Sequence, residues 1–349
     1  MASALVVIGS NLLVALPARA PPPHEIRIAC LGDSLTHAHL SGAISYVPLL
    51  GKLLQPMASN AAARMNASAP RIAMGNWGLG GRMASHFSGE GHCAKRSFRH
   101  HETESAYHFM QRSTSFRPDV VVLLFGYNDA WHATLGCWDP QVFTDGLYDI
   151  AAAFFNRSSA PPAVVLALPP PIVPKPPANA TRADAKSVHR AATQLWSQMA
   201  QANASNLLEW SALPPMPPAP GMPPPAPPRA ASLDMTGSSF ANVSDDAARP
   251  SVAATNARLL NALPPLVREA GRRLRMLSSP ATAENPPSGP CAPGSVRVLD
   301  LHAAVEASGC GGACFSRTID GVHPSELGAM LFAQAFAKEL GPCVSPNSR

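Results

Sequence analysis

The chain has 349 residues, of which 46% are apolar, 14% are charged and 38 are proline. This length can hold one large domain or two small ones, and the apolar content is ordinary for a globular protein. The formal net charge is +5, but the basic residues are scattered apart from the short cluster Arg272-Arg273-Leu274-Arg275. This distribution does not suggest a nucleic-acid partner.

The N-terminal stretch predicts a targeting segment. "ALVVIGSNLLVALPARA" is apolar, short for a membrane span, and ends in Ala18-Arg19-Ala20, a small-x-small cleavage pattern. We expect residues 1–20 to be a signal peptide; no basic residue precedes the apolar run, so an uncleaved anchor is the alternative. Five N-x-[ST] sequons also favour passage through the secretory pathway, at Asn66, Asn156, Asn179, Asn203 and Asn242. The expected location is therefore extracellular or luminal, without a stable membrane partner.

Five short apolar runs predict strands. They are apolar almost throughout, as expected where both faces of a parallel sheet are covered, and lie at 26–31, 71–76, 119–125, 163–168 and 296–301. Helical patterns lie at about 45–63, 140–156, 252–276 and 324–340, the last with Pro324 in its first turn. This alternation predicts a doubly wound, flavodoxin-like α/β fold of three layers, α/β/α, with a five-stranded, mostly parallel sheet.

The region from about 172 to 250 departs from the alternation. Residues 182–204 could form a helix, but "LPPMPPAPGMPPPAPPRA" (213–230) has no packing pattern and predicts an extended or disordered loop. We therefore predict one domain, residues 24–342, with a Pro-rich insertion, and a monomer.

Cysteine usage fits an oxidising compartment. Cys30 lies inside the first predicted strand and is expected to be a buried thiol. The other six could form three disulfides, with 15 possible pairings; they are Cys93, Cys137, Cys291, Cys310, Cys314 and Cys343.

Two pairings and a metal site can be considered. Cys93 and Cys137 follow the second and third predicted strands, and Cys310 and Cys314 could close the loop "CGGAC". Zinc on Cys310-x-x-x-Cys314 or on His37-x-His39 is the alternative, but neither has the paired spacing of a structural zinc site. We predict no metal.

Four polar or glycine-rich segments follow the predicted strands. "GDSL" (32–35) follows the first, "NWGLGG" (76–81) the second, "GYND" (126–129) the third and "DGVH" (320–323) the fifth. Because ligands of doubly wound sheets bind at the carboxyl ends of the strands, these segments should meet at one edge. Each alone could be a turn, and Ser34 alone could be a helix cap. Their occurrence together in this order favours a catalytic site.

These segments resemble the four blocks of the SGNH (GDSL-type) hydrolases, over roughly residues 26–340. The matching positions are Gly32-Asp33-Ser34-Leu35, Gly81, Gly126-x-Asn128-Asp129 and Asp320-x-x-His323. Gly78 or Gly80 could stand in for Gly81. In addition, "NARLLNALPPLVREAGRRL" (256–274) is similar to the helix before the last strand in secreted, carbohydrate-esterase-like members.

The resemblance implies a role for each matching residue. Ser34 would be the nucleophile, His323 its general base, and Asp320 the carboxylate that orients the imidazole. The N–H groups of Ser34 and Gly81 and the amide of Asn128 would form the oxyanion hole. No organic cofactor is expected.

The expected activity is hydrolysis of short-chain esters, acetyl esters first, on carbohydrates through an acyl-enzyme on Ser34. Loops near the site mix Trp77, Trp131 and Trp138 with polar residues, which suits sugar rings, although these tryptophans could equally be core. The alternatives are a lysophospholipase or lipase-type carboxylesterase, a polysaccharide O-acyltransferase, and a catalytically silent glycan-binding module.

Overall fold

The structure is a computed structural model that describes residues 5–8, 12–15, 24–38, 45–88, 100–131, 139–156, 160–170, 257, 261–278, 289, 291–308 and 323–345. Its first elements lie in the segment expected to be a signal peptide, where β1 (Leu5–Ile8) and β2 (Leu12–Ala15) pair antiparallel. Cleavage of residues 1–20 stays a prediction. In the described ranges, no helix is both long and apolar enough to cross a bilayer.

The five apolar runs form one fully parallel sheet. Its strands are β3 (Glu25–Gly32), β4 (Arg71–Gly78), β5 (Val120–Leu124), β6 (Ala163–Leu168) and β7 (Val296–Asp300), in the order β4-β3-β5-β6-β7. Every residue of β5 and β6 is buried, as a parallel sheet covered on both faces requires. The predicted doubly wound α/β/α fold is confirmed.

Helices cover both faces of this sheet. They are α1 (Ser34–His37), α2 (Tyr46–Arg64), α3 (Ala84–Ser88), α4 (His100–Ser115), α5 (Tyr127–Trp131), α6 (Pro140–Phe155), α7 (Leu263–Ser278), α8 (Leu301–Ala307) and α9 (Glu326–Leu340), followed by a 3₁₀ helix, Gly341–Val344. Helix α2 packs against α9, where Tyr46 stacks on Phe336 with ring centroids 4.9 Å apart. Helix α6 packs against α3 and α7 in the other layer.

The predicted helices differ from the observed ones mainly at their ends. Pro324 lies before α9 rather than in its first turn, because Ser325 is the N-cap and its hydroxyl accepts from Gly328 N at 3.2 Å. The described part of the helix predicted at 252–276 is α7. The helix considered at 182–204 and the Pro-rich segment 213–230 lie outside the described residues.

Two cysteine expectations can be examined. Cys30 is fully buried and not disulfide-bonded, and burial raises the pKa of its thiol to about 12. Cys291 and Cys343 form a disulfide that joins the segment before β7 to the 3₁₀ helix after α9. The pairings of Cys93 with Cys137 and of Cys310 with Cys314 fall outside the described part of the chain.

Candidate active site

Ser34 stands at the carboxyl end of β3, where the strand passes directly into α1. The side chain of Asp33, not of Ser34, caps this helix, since Asp33 Oδ1 accepts from Leu35 N at 2.9 Å. The capping role considered for Ser34 is therefore wrong. Ser34 is the first residue of the helix, and helix geometry leaves its N–H without an intrahelical acceptor. Its side chain is 9% exposed, which leaves a small opening to solvent.

Glycines bring the neighbouring strands close behind Ser34. A Cβ on Gly32 would lie 2.6 Å from Leu124 O, and one on Gly78 would lie 2.3 Å from His37 N. Separations this short exclude any side chain at either position. The ends of β3, β4 and β5 therefore lie level, with α1 packed directly on β4.

The second segment runs beside Ser34 and narrows the choice of glycine donor. Gly78 N is already bonded to Asn76 Oδ1 at 3.0 Å, so its N–H is used within the strand. A Cβ on Gly80 would be 3.8 Å from Ser34 Cβ, and Gly81 has φ +72°, a left-handed conformation that favours glycine. From the sequence, an oxyanion-hole N–H is expected at Gly81, with Gly78 or Gly80 as alternatives. The bond of Gly78 N to Asn76 argues against Gly78 and leaves Gly80 and Gly81 as candidates.

The third segment forms α5 and supplies Asn128. Gly126, with φ +120°, turns the chain at the end of β5, and Asn128 two residues later is buried. Asn128 Nδ2 donates to Asp33 Oδ2 and to the backbone oxygen of Arg82, both at 3.2 Å. Both hydrogens of the amide thus point to protein acceptors, so a bond to an oxyanion would have to share or replace one of them.

The fourth segment contributes His323, directly before α9. The residue is buried, and its interaction with the carboxyl group of Asp33 lowers the pKa of that group. Ser34 and Asn128 lie just after the carboxyl ends of β3 and β5, and a catalytic role for the three residues stays a prediction. Asp320, expected to orient His323, lies outside the described residues.

Two buried aspartates next to these residues have strongly shifted pKa values. Burial raises the pKa of Asp33 to about 6, although Leu35 N–H, the charge of His323 and the Asn128 amide oppose the shift. Burial and the negative charge of Asp33 together raise the pKa of Asp129 to about 7. Sequence reasoning gave neither carboxylate a role. Their only signal was their place beside Ser34 and Asn128 in the motifs.

Of the three tryptophans considered as sugar platforms, the structure describes the side chain of one. Trp77 is buried and makes an edge-to-face contact with Phe109, with ring centroids 5.3 Å apart. It therefore belongs to the core, since it offers no ring face to a ligand. The side chains of Trp131 and Trp138 lie outside the described part.

Metal binding finds no support in the described side chains. Within these ranges, no group of three His, Cys, Asp or Glu side chains could hold a metal ion. The alternative at Cys310 and Cys314 falls outside them, as does His39.

Comparison with known proteins gave structural matches only. No protein-family model and no curated protein matches the chain. A structure described as a GDSL-like lipase from Parabacteroides merdae matches with TM-score 0.44 and 13% identity, over 91% of this chain and 97% of that one. LAE5, an α/β hydrolase from the metagenome of Lake Arreo, Spain, matches with TM-score 0.43 and 14% identity, over 92% and 97%. Axe2, an acetylxylan esterase from Geobacillus stearothermophilus, matches with TM-score 0.44 and 13% identity, over 91% and 95%.

The site and the sheet can be compared with what the four motifs predicted. The sheet is parallel and doubly wound, and Ser34 and Asn128 lie just after the carboxyl ends of β3 and β5.

Proposed function

We propose that the protein is a serine esterase that acts through an acyl-enzyme on Ser34. The observation that supports this proposal is that Asp33, the neighbour of Ser34, accepts a hydrogen bond from Asn128 and interacts electrostatically with His323. The side chain of Asp33 caps α1, so the Ser34 hydroxyl is not needed as a cap and can serve as the nucleophile. A purely structural turn would not require a buried histidine that interacts with Asp33.

The first half of the reaction forms the acyl-enzyme. His323 takes the proton of the Ser34 hydroxyl while Ser34 Oγ attacks the ester carbonyl carbon. The carbonyl oxygen becomes an oxyanion, which the N–H groups of Ser34 and of Gly80 or Gly81 stabilise, with Asn128 as a further donor. The C–O bond then breaks, and the protonated His323 gives its proton to the departing alcohol.

The second half restores the enzyme. Water attacks the acyl carbon while His323 accepts one of its protons; the bond from that carbon to Ser34 Oγ then breaks, the carboxylic acid leaves, and the protonated His323 returns its proton to Ser34 Oγ. Asp320 would orient His323 and stabilise the imidazolium that forms in each half. The steps require no oxidant, reductant or metal.

For the substrate we propose a short acyl ester, acetyl first, carried on a carbohydrate. A long acyl chain needs an extended apolar groove, because each buried methylene contributes only about 0.8 kcal/mol. Because Trp77 lies in the core, it does not support a carbohydrate substrate. The support comes from the similarity of residues 256–274 to carbohydrate-esterase-like members and from Trp131 and Trp138.

The nucleophile is tested with matched serine variants. Ser34→Ala should abolish hydrolysis of p-nitrophenyl acetate and labelling by a fluorophosphonate, while Ser59→Ala, on the far part of α2, should retain both. His323→Ala should be about as damaging as Ser34→Ala, and the double variant little worse, because residues that act as a unit are not additive. Labelling that persists in Ser34→Ala would refute the assignment.

The substrate class is tested separately on the wild-type protein. We expect kcat/KM to fall from p-nitrophenyl acetate to octanoate and palmitate, and acetate to be released from acetylated xylan. A preference for octanoate or longer chains, with fatty acid released from lysophosphatidylcholine and no acetate from any glycan, would favour a lipid esterase instead.

A further inference from the structure

Asp129 ties α5 to the loop that carries the glycine donor. Asp129 Oδ1 accepts from Ala84 N at 3.3 Å, across 45 residues of sequence. Ala84 is the first residue of α3, and the early N–H groups of a helix have no acceptor within the helix. The carboxyl group of Asp129 therefore serves as a cap supplied by another element.

A second bond runs between the same two elements. Asn128 Nδ2 donates to the backbone oxygen of Arg82, two residues before Ala84. The adjacent residues Asn128 and Asp129 thus hold the loop at Arg82 and at Ala84, directly after Gly80 and Gly81. Apart from Gly81 itself and its two chain neighbours, no heavy atom of the described residues lies within 4 Å of where a Cβ on Gly81 would be, so tertiary packing at this point does not fix the loop.

The anchor is connected to the nucleophile as well. Asn128 Nδ2 also donates to Asp33 Oδ2, and Asp33 caps the helix that begins with Ser34. One buried chain of bonds therefore runs from α3 through α5 to α1. It thus connects α1, whose Ser34 N–H would bind the oxyanion, with the loop before α3, which carries the N–H groups of Gly80 and Gly81.

We propose that Asp129 is a positioning residue, which holds the Gly80–Gly81 loop at the distance from Ser34 that an oxyanion hole requires. The expected effect on kcat rests on the proposed esterase function, whereas the anchoring of the loop by Asp129 does not depend on that function. Asp129 does not touch the substrate in this proposal; it acts through Ala84 N and the loop.

The kinetic test compares two substitutions of Asp129 with a remote cap. Asp129→Ala removes the acceptor and should lower kcat by about 10- to 100-fold with little change in KM, because small displacements of catalytic groups are costly. Asp129→Asn keeps an oxygen acceptor and should stay within about threefold of wild type. Asp300→Ala removes the exposed cap of α8, whose Oδ1 accepts from Ala303 N at 2.9 Å, and should leave kcat unchanged.

A second measurement does not depend on activity. Hydrogen–deuterium exchange of the 80–84 backbone should become faster in Asp129→Ala than in wild type, Asp129→Asn or Asp300→Ala. Unchanged exchange in Asp129→Ala would overturn the anchoring role, and an unchanged kcat in an active enzyme would overturn the positioning role in catalysis. If wild type hydrolyses no ester while exchange responds as expected, the proposed function fails and the anchor stands.

Discussion

The carboxyl groups of Asp33 and Asp129 are both buried and interact with each other, and burial makes the ionised form of each less favourable. Asn128 donates to Asp33, and Ala84 N donates to Asp129 Oδ1, but among the described residues Asp129 Oδ2 has no hydrogen-bond partner. Among the described residues, the charge of Asp33 raises the pKa of Asp129, and the charge of His323 lowers the pKa of Asp33. Of the two, Asp129 should therefore have the larger effect on the pH dependence of stability.

The sign of this effect follows from the raised pKa. Asp129 has a pKa of about 7 in the folded protein against an ordinary value of 3.8, so between about pH 4 and 7 the folded state retains a proton that the unfolded state loses. Its contribution to the free energy of unfolding should fall as pH rises through this window and stay constant above it. Asp129→Asn lacks this titration. We expect its stability relative to wild type to increase from pH 4 to pH 7, by an amount on the order of a few kcal/mol.

Denaturant unfolding of both proteins at pH 4, 5.5, 7 and 8 measures this difference directly. Subtracting wild type from the variant cancels the titration of groups that the substitution does not affect. A difference that is independent of pH would show that Asp129 ionises normally in the folded protein.

At the scale of elements, the contact between β4 and α1 is a backbone contact that bears on the site. Gly78→Ala would put a methyl carbon 2.3 Å from His37 N, a backbone atom that can move only if α1 moves with it. We expect a loss of about 1–3 kcal/mol in the free energy of unfolding and a fall in kcat, because α1 begins with Ser34.

Gly271→Ala in α7 is the matched control for this substitution. There the nearest atom to a Cβ is 3.5 Å away, and replacing a helical glycine by alanine should stabilise the protein by about 0.5–1 kcal/mol. Thermal unfolding and steady-state kinetics distinguish the two variants. If Gly78→Ala kept the wild-type kcat and stability, the close contact would not constrain α1.

The strands could be predicted from sequence because their signal is local. The run at 163–168 is apolar throughout, and β6 occupies the same residues. Helix α4 was not predicted from the sequence. Its buried inner face includes Ala106, Met110 and Ser113, and the polar Ser113 weakens the apolar periodicity. The doubly wound class followed from the alternation of strands and helices, while the helix caps did not.

The site could be predicted only as far as its motifs extend. Ser34 and Asn128 could be proposed because they follow the ends of parallel strands, which share one edge, whereas His323 could be proposed only from its motif, since α8 lies between β7 and it. The bonds of Asn128 to Asp33 and Arg82 join segments 95 and 46 residues apart, and no local pattern encodes such pairs. For the same reason Trp77 could not be assigned to the core until Phe109 was seen beside it.

For the whole molecule, the disulfide between Cys291 and Cys343 closes a loop with a sequence separation of 52 residues around β7 and α9. A cross-link of this span should contribute about 2–4 kcal/mol, chiefly by restricting the unfolded chain. We expect the double variant Cys291→Ser/Cys343→Ser to lose that amount in denaturant unfolding. Peptide mapping without reductant should recover the two cysteines in one linked peptide from wild type, and two unlinked thiols would contradict the assignment.

Two of the five sequons lie in the described part and bear on the proposed secretory route. Asn66 is exposed at the turn after α2, and Asn156 is exposed at the end of α6. Both side chains are accessible to a glycosyltransferase. Together with the disulfide, they support our proposal that the protein passes through an oxidising, glycosylating compartment.

The order of the strands also has a consequence for how the protein is made. The edge strand β4 and its neighbours β3 and β5, which are followed by Gly81, Ser34 and Asn128, come from the first 131 residues, whereas His323 comes much later in the chain. At synthesis rates of about 5–20 residues per second, the roughly 200 residues between Asn128 and His323 take about 10–40 seconds to translate. During that interval the nascent chain carries the proposed nucleophile and oxyanion donors but no base. Ester hydrolysis would therefore begin only after His323 has been synthesised and has folded against the sheet.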